Sequence, residues 1–255
     1  MSELLEVEGV GFRYGSRSVL REVSFAAGRG EFVAIVGVNG AGKSTLLDLI
    51  SGFKESACGH VSIEGKLQRE WTQRELAKRM SHLPQTTETG LPFSAGQMVA
   101  MGRYPHTDQW FESEEDHRLV HAAMVRTHSW EYRDRRFASL SGGERQRVLL
   151  AACLAQDASI LLLDEPSTFL DIEAQLHCFT LLRDEAATGR LCLAVTHDLN
   201  LALTYCTRLL VLAEGMVAKD ISTAAVGGDH EWLGMFSPRL RLTETPGGAP
   251  WIWYQ

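Results

Sequence analysis

Residues 31–52, EFVAIVGVNGAGKSTLLDLISG, pass from a continuous apolar run through a glycine-rich turn into a helical pattern. EFVAIVG is rich in Val and Ile and almost unbroken in its hydrophobicity, as strands buried on both faces of a parallel sheet tend to be. STLLDLIS predicts a helix, and Gly52 is placed to close it. Between them Gly37, Gly42, Lys43 and Ser44 fit GxxxxGK[ST], in the strand-then-helix context that the motif requires. Glycines let successive N–H groups curl around phosphate oxygens, and the helix N-terminus adds its partial positive charge. Lys43 supplies a full charge to β and γ phosphates, while the Ser44 hydroxyl can ligate Mg²⁺. Gly37, Val38, Asn39, Gly40, Ala41 and Gly42, followed by Lys43, Ser44 and Thr45, are therefore the candidate phosphate-binding residues. The stretch implies a nucleoside triphosphate site.

A second run, ILLLDEP at residues 160–166, supplies acidic partners. Its apolar residues bury a strand and deliver Asp164 to the strand's end, where a carboxylate can hold Mg²⁺. Glu165 follows, placed to polarise an attacking water. A carboxylate pair after a strand says little alone; beside the first motif it says much more.

A third stretch, LSGGERQR at residues 140–147, looks redundant. Ser141 and Glu144 stand at capping-box spacing before an apolar run, so a helix begins here. Gly142 and Gly143 leave its N-terminus open to an anion. Two phosphate-binding helix starts in one chain cannot easily serve one nucleotide from the same side.

The rest of the sequence bounds the reading. The 255 residues, 45% apolar and 22% charged, suffice for one large α/β domain. A net charge of −7 argues against nucleic acid as a principal partner. No apolar run reaches membrane-spanning length, and the acidic start MSELLEVEG is unlike a signal peptide. The five cysteines show no CxxC pairing and read as small core residues in a reducing compartment. Residues 6–28 alternate like antiparallel strands with glycine-containing turns, and ASILLLDEP and RLCLAVTHD read as further buried strands. Residues from about 90 to 158 show helical spacing without a convincing strand, and RLRLTETPGGAPW near the C-terminus suggests a hairpin.

The combination of GVNGAGKST, LSGGE and LLLDEP with His197 in AVTHD closely resembles the ATP-binding subunits of ABC transporters, and the likeness runs over nearly the whole chain. The resemblance implies an α/β fold with a P-loop NTPase (RecA-like) core, an N-terminal antiparallel β subdomain and an inserted helical subdomain. Its expected division is 1–88 and 159–222 for the nucleotide-binding core, 89–158 for the helical part and 223–255 for a short C-terminal extension. It implies ATP and Mg²⁺ as cofactors, with Ser44, Asp164 and Gln85 toward the metal. Tyr14 in GFRYG would stack on adenine; Gln85 in SHLPQ would link nucleotide and metal to the helical insertion; His197 would touch the γ-phosphate and act with Glu165 in hydrolysis. For LSGGE the resemblance implies a head-to-tail homodimer, in which Ser141, Gly142, Gly143 and Glu144 of one copy would face the GVNGAGKST turn of the other. Asp171 in STFLD would lie at that dimer contact beside Glu165.

MGRYPHT at 101–107, STFLDIEAQ at 167–175 and HDLNLAL at 197–203 resemble the ATPases of importers for ferric siderophores, haem and cobalamin. That branch implies integral membrane permease subunits as partners, a substrate-binding protein reached through them, and a peripheral place on the cytoplasmic face of the inner membrane. An iron(III)-siderophore-type chelate is the expected cargo, with haem and cobalamin as alternatives. A soluble ABC ATPase acting on ribosomes or DNA is the alternative from another class, and a catalytically dead regulatory module would lack Glu165 or His197, both present. Val38 in place of a more usual Pro, the absence of Thr-Val in FSAGQMVAMGR, and Cys58 before Gly59-His60 depart from the branch without touching the catalytic set.

Overall fold

The protein, seen in a computed structural model, is described for residues 3–85, 90–107, 113–228, 231–245 and 247–255. Two long strands, β1 (Glu3–Tyr14) and β2 (Arg17–Gly28), open the chain as an antiparallel pair. The glycine-rich turn joins β3 (Phe32–Val36) to α1 (Lys43–Ser51), followed by β4 (Cys58–Ile63), β5 (Lys66–Leu67), α2 (Gln73–Arg79) and β6 (Met80–Leu83). Helices α3 (Ala95–Ala100), α4 (Glu114–Arg126) and α5 (Gly142–Ala155) come next, before β7 (Ile160–Asp164), α6 (Ile172–Ala187), β8 (Leu191–Val195) and α7 (Leu199–Tyr205). The chain closes with β9 (Arg208–Ala213), β10 (Met216–Ser222), β11 (Leu240–Glu244) and β12 (Pro250–Tyr254).

The central sheet has the order β10-β9-β3-β8-β7-β6; its pairs are parallel apart from β10, which runs antiparallel at the edge. Every residue of β3, β7 and β8 is buried. Alternation still decides which core each side chain joins. Phe32, Ala34, Val36, Leu161 and Leu163 point into the core shared with α3–α7. Val33, Ile35, Ile160, Leu162 and Leu193 point the other way, onto α1 and the second sheet, β2-β1-β4-β5. The continuous hydrophobicity of these strands thus reflects two cores, one on each face.

Helices α3, α4 and α5 pack on one another, and each begins with a reciprocal capping box: Ser94 with Gln97, Ser113 with Asp116, and Ser141 with Glu144. Among the described residues between 90 and 158 the β-structure is an isolated bridge, Ser94 to Arg136. Four of the cysteines are buried; Cys58, at the start of β4, is exposed. Gly11 faces it closely: a Cβ there would stand 2.6 Å from the Cys58 sulfur, which would have to shift. The hairpin of β11 and β12 buries Leu240 and Ile252 in the same core as α7.

Candidate nucleotide-binding site

Where β3 ends, the chain must turn within reach of β9. A Cβ on Gly37 would lie 2.3 Å from the Leu212 carbonyl oxygen, so only glycine passes there. Gly42 caps α1 in the left-handed region, with φ of 99°, and no side chain caps that helix start. Lys43, the first helical residue, is buried; its Nζ donates to the carbonyls of Gly37 at 2.8 Å and Val38 at 3.1 Å. Burial lowers its pKa, and the charges of Glu165 and Asp164 work against that shift.

Asp164 ends β7 facing this helix start. The Ser44 hydroxyl favours the charged form of its carboxylate, while Oδ1 is buried without a hydrogen-bond partner. Burial first, then the charges of Glu165 and Asp48, raise the pKa of Asp164. A buried carboxylate oxygen with nothing to bond is costly, and a cation relieves it. The oxygen donors of Ser44, Asp164 and Gln85 suit a hard ion completed by phosphate and water. Among the described residues no group of three or more His, Cys, Asp or Glu is placed to hold a metal.

Glu165 follows at φ of 54°, a conformation that side-chain-bearing residues rarely adopt. Its Oε1 meets His197 Nε2 at 2.7 Å, and its Oε2 accepts from Thr168 Oγ1 at 3.1 Å. Gln85 also favours the charged form of that carboxylate. Burial pushes its pKa up, yet Thr168, His197 and Gln85 together outweigh burial and hold it below the ordinary range. Tyr14, at the end of β1, is 52% exposed; its ring meets Phe12 edge-on at 4.9 Å.

Tyr14, Asn39, Gly40, Gly42, Lys43, Ser44, Thr45, Gln85, Glu165 and His197 line one cleft of about 760 Å³. Gly37 and Val38 line the adjoining cleft with Asn39 and His197, and Ala41 is buried beneath the turn. Ser141, Gly142, Gly143 and Glu144 lie elsewhere, in a separate cleft of about 430 Å³. Asp171 lines that second cleft and caps α6, its Oδ1 accepting from the Ala174 N–H at 2.8 Å. The chain therefore brings its first and second motifs together and keeps the Ser141–Glu144 start of the third in a separate cleft.

Several contributors carry no strong sequence signal. Gln146 of α5 donates to the Pro166 carbonyl at 3.0 Å and to that of Glu165 at 3.4 Å, bracing the turn that carries Glu165. Phe169, in the left-handed region at φ of 66°, lies across the start of α5. A Cβ on Gly142 would meet its side chain at 3.1 Å, and one on Gly143 its carbonyl oxygen at 2.9 Å. These glycines are thus required by Phe169 as well as by any anion. Arg17 joins the lining of the first cleft. Thr168 was legible only as part of STFLD.

A glycine turn opening a helix on a buried lysine, with Asp and Glu closing a strand of the same parallel sheet, defines a P-loop nucleoside triphosphatase. The chain belongs to the ABC transporter family, whose model matches residues 20–168 and so takes in all three motifs. It is an ATPase of that family. It is 43% identical over 225 residues to the hemin import ATP-binding protein HmuV of Nocardia farcinica, covering 87% of this chain and 77% of that one. It is 37% identical over 218 residues to the iron(3+)-hydroxamate import ATP-binding protein FhuC of Bacillus subtilis, covering 85% and 81%. With the cobalamin import ATP-binding protein BtuD of Halobacterium salinarum it shares 40% over 214 residues, covering 84% and 54%. Among solved structures it resembles an inward-facing metal-chelate type ABC transporter, with a TM-score of 0.81, 25% identity, and 100% and 97% of the two chains covered. A dimeric bacterial ABC transporter cassette matches with a TM-score of 0.77 and 25% identity over 86% and 98%.

Proposed function

We propose that this chain is the ATP-hydrolysing subunit of an importer for an iron(III)-siderophore-type metal chelate, working as a head-to-tail homodimer against a membrane permease. The observation that carries the dimer is the separation of Ser141–Glu144 from the cleft of Lys43, Ser44 and Glu165. One chain holds two halves of a phosphate site that cannot close on each other, so each half serves a second copy.

In this reading Tyr14 stacks on the adenine, Gly37 through Gly42 with Thr45 cradle the phosphates, and Lys43 neutralises the β and γ groups. Ser44, Asp164 and Gln85 would hold Mg²⁺. When bound, the ion offsets negative charge on the β and γ oxygens. Glu165 polarises the attacking water, and His197, held on Glu165, reaches the γ-phosphate. Ser141, Gly142 and Gly143 of the second copy meet that phosphate from the opposite side, with Glu144 fixing the helix start and Asp171 at the contact between copies. Loss of the γ-phosphate removes the bridge and lets the copies part, which couples chemistry to movement. Residues 1–88 and 159–222 form the nucleotide-binding core, 89–158 the helical arm toward the permease, and 223–255 the C-terminal extension.

Among the described residues no helix is long and apolar enough to cross a membrane. The likeness to import ATP-binding proteins supports a peripheral station on the cytoplasmic face of the inner membrane beneath the permease, with a substrate-binding protein on the far side. Haem is the second reading of the cargo, favoured by the 43% identity to a hemin import protein. Turnover of MgATP by Glu165→Gln should fall roughly a thousandfold, and the variant should accumulate as an ATP-bound dimer in size-exclusion chromatography. Wild-type turnover in that variant sinks the assignment of Glu165. Uptake of ferric siderophore, haem and cobalamin by cells lacking the chain then decides the cargo.

A further inference from the structure

The C-terminal hairpin is tied to the His197 loop through one side chain. Asn200, in the first turn of α7, donates from Nδ2 to the Ile252 carbonyl at 3.0 Å. Its Oδ1 accepts from the Ile252 N–H at 2.8 Å. A carboxamide that presents donor and acceptor to both backbone groups of one residue copies a ladder pair of a sheet. Asn200 thereby adds a rung to the outer edge of β12, three residues from His197.

The backbone between is pinned at close intervals. The Asp198 N–H donates to Thr196 Oγ1 at 3.1 Å, and Asp198 Oδ1 accepts from the Leu201 N–H at 2.9 Å. Within this segment the His197 side chain projects, half-exposed, onto Glu165 at 2.7 Å. The other end of the tie is equally firm, because Ile252 and Leu240 are buried in the main core. The hairpin, the His197–Asn200 segment and Gly37–Asn39 line one cleft of about 770 Å³, which meets the nucleotide cleft at Asn39 and His197.

We propose that Asn200 is a positioning residue for ATP hydrolysis: through it the hairpin holds the His197 loop in register with Glu165. The proposal rests on the reading of Glu165 and His197 as the hydrolytic pair. A small displacement of an aligned group costs turnover far more than binding. Nucleotide binding draws on Tyr14 and Lys43, which the tie does not touch, so kcat and KM should separate.

The test is steady-state ATPase kinetics on the full chain, with melting temperatures in parallel. Asn200→Ala should lower kcat roughly tenfold and leave KM for ATP within about twofold. Asn200→Asp keeps the bond from the Ile252 N–H and loses the donor, and should fall between Asn200→Ala and wild type. A lowered melting temperature with kcat at the wild-type value shows a merely structural clamp and overturns the proposal, as does a raised KM with kcat unchanged. If Asn200→Ala does not fold, Asn200→Asp decides on the same readout. Glu165→Gln and His197→Ala separate the two layers. If either turns over at the wild-type rate, the hydrolytic pair is wrong. If both are dead and the Asn200 variants are normal, the pair stands and the positioning role falls.

Discussion

The helix start at Gly42 and the helix start at Ser141 are both lined by glycine, yet they are finished in opposite ways. The first has a left-handed glycine as its cap and no side chain bonded to its amides, and it carries a buried lysine. The second is closed by its own side chains: the Ser141 N–H donates to Glu144 Oε2 at 2.7 Å, and the Glu144 N–H donates to Ser141 Oγ at 3.3 Å. Arg135 Nη1 then donates to the other oxygen of Glu144 at 2.8 Å. An uncapped start with an internal cation is built to bind an anion by itself. A capped one has only its Ser141 and Glu144 amides bonded by the box, and offers its dipole and the Gly142–Gly143 face. On the proposed two-chain reading they are unequal halves of a site: one would capture the nucleotide, and the other would complete it.

The largest expected effect lies on the capturing half. Lys43→Ala removes the one full charge from the uncapped start, and should weaken ATP binding about a hundredfold while abolishing turnover. Equilibrium binding of a fluorescent ATP analogue measures this; unchanged affinity would mean that the turn alone carries the phosphates. The completing half should behave differently. Ser141→Arg fills the exposed cleft beside Gly142 and Gly143, and should leave nucleotide affinity within about twofold while turnover falls at least roughly a hundredfold. Surviving turnover in that variant would erase the distinction between the halves and the two-chain site with it.

Sequence legibility follows the same division. The first half is a local object: strand, turn, Lys43 and helix are contiguous, so one motif describes them. Asp164 and Glu165 arrive from residues far along the chain, yet an all-apolar strand announced where they would stop. The long β1–β2 pair is readable from alternation, whereas its register shifts near Val10 and Phe12 are not, because alternation carries no signal for where a ladder slips. Gln146, Phe169 and Asn200 escaped for another reason. Each acts through a backbone group or a glycine face brought near only by the tertiary fold, and no periodicity marks such a contact. Gly142 and Gly143 show the limit well: their spacing pointed to an anion, while the structure adds Phe169 pressed against them.

The two helices also differ at their far ends, and this gives the smallest and most specific expectation. Helix α1 ends on Gly52, with the neutral Gln68 amide donating to the carbonyls of Leu49 and Ile50 at 2.8 and 2.6 Å. Helix α5 ends on a charge: Arg103 Nη1 donates to the Ala155 carbonyl at 2.9 Å, and its Nε donates to Asp116 Oδ1 at 2.7 Å. Burial pushes the Asp116 carboxyl up, but Arg103 together with the Ser113 hydroxyl and amide outweighs it and holds the group at about 2, below the ordinary 3.8. A carboxyl depressed on folding contributes stability that is fully present above its unfolded value and is lost as pH falls through its folded one. The window is therefore from about pH 4 down to about pH 2. Asp116→Asn leaves the Arg103 charge buried and unpaired, and should cost about 3 kcal/mol of stability at pH 7. The deficit should shrink toward pH 2, where the wild-type carboxyl is itself protonated. Urea unfolding of both proteins at several pH values measures it, and at pH 7 the two should bind nucleotide equally. A deficit independent of pH would show that Asp116 matters through its shape and its cap on α4, leaving the grip on the end of α5 to the Arg103 backbone contacts.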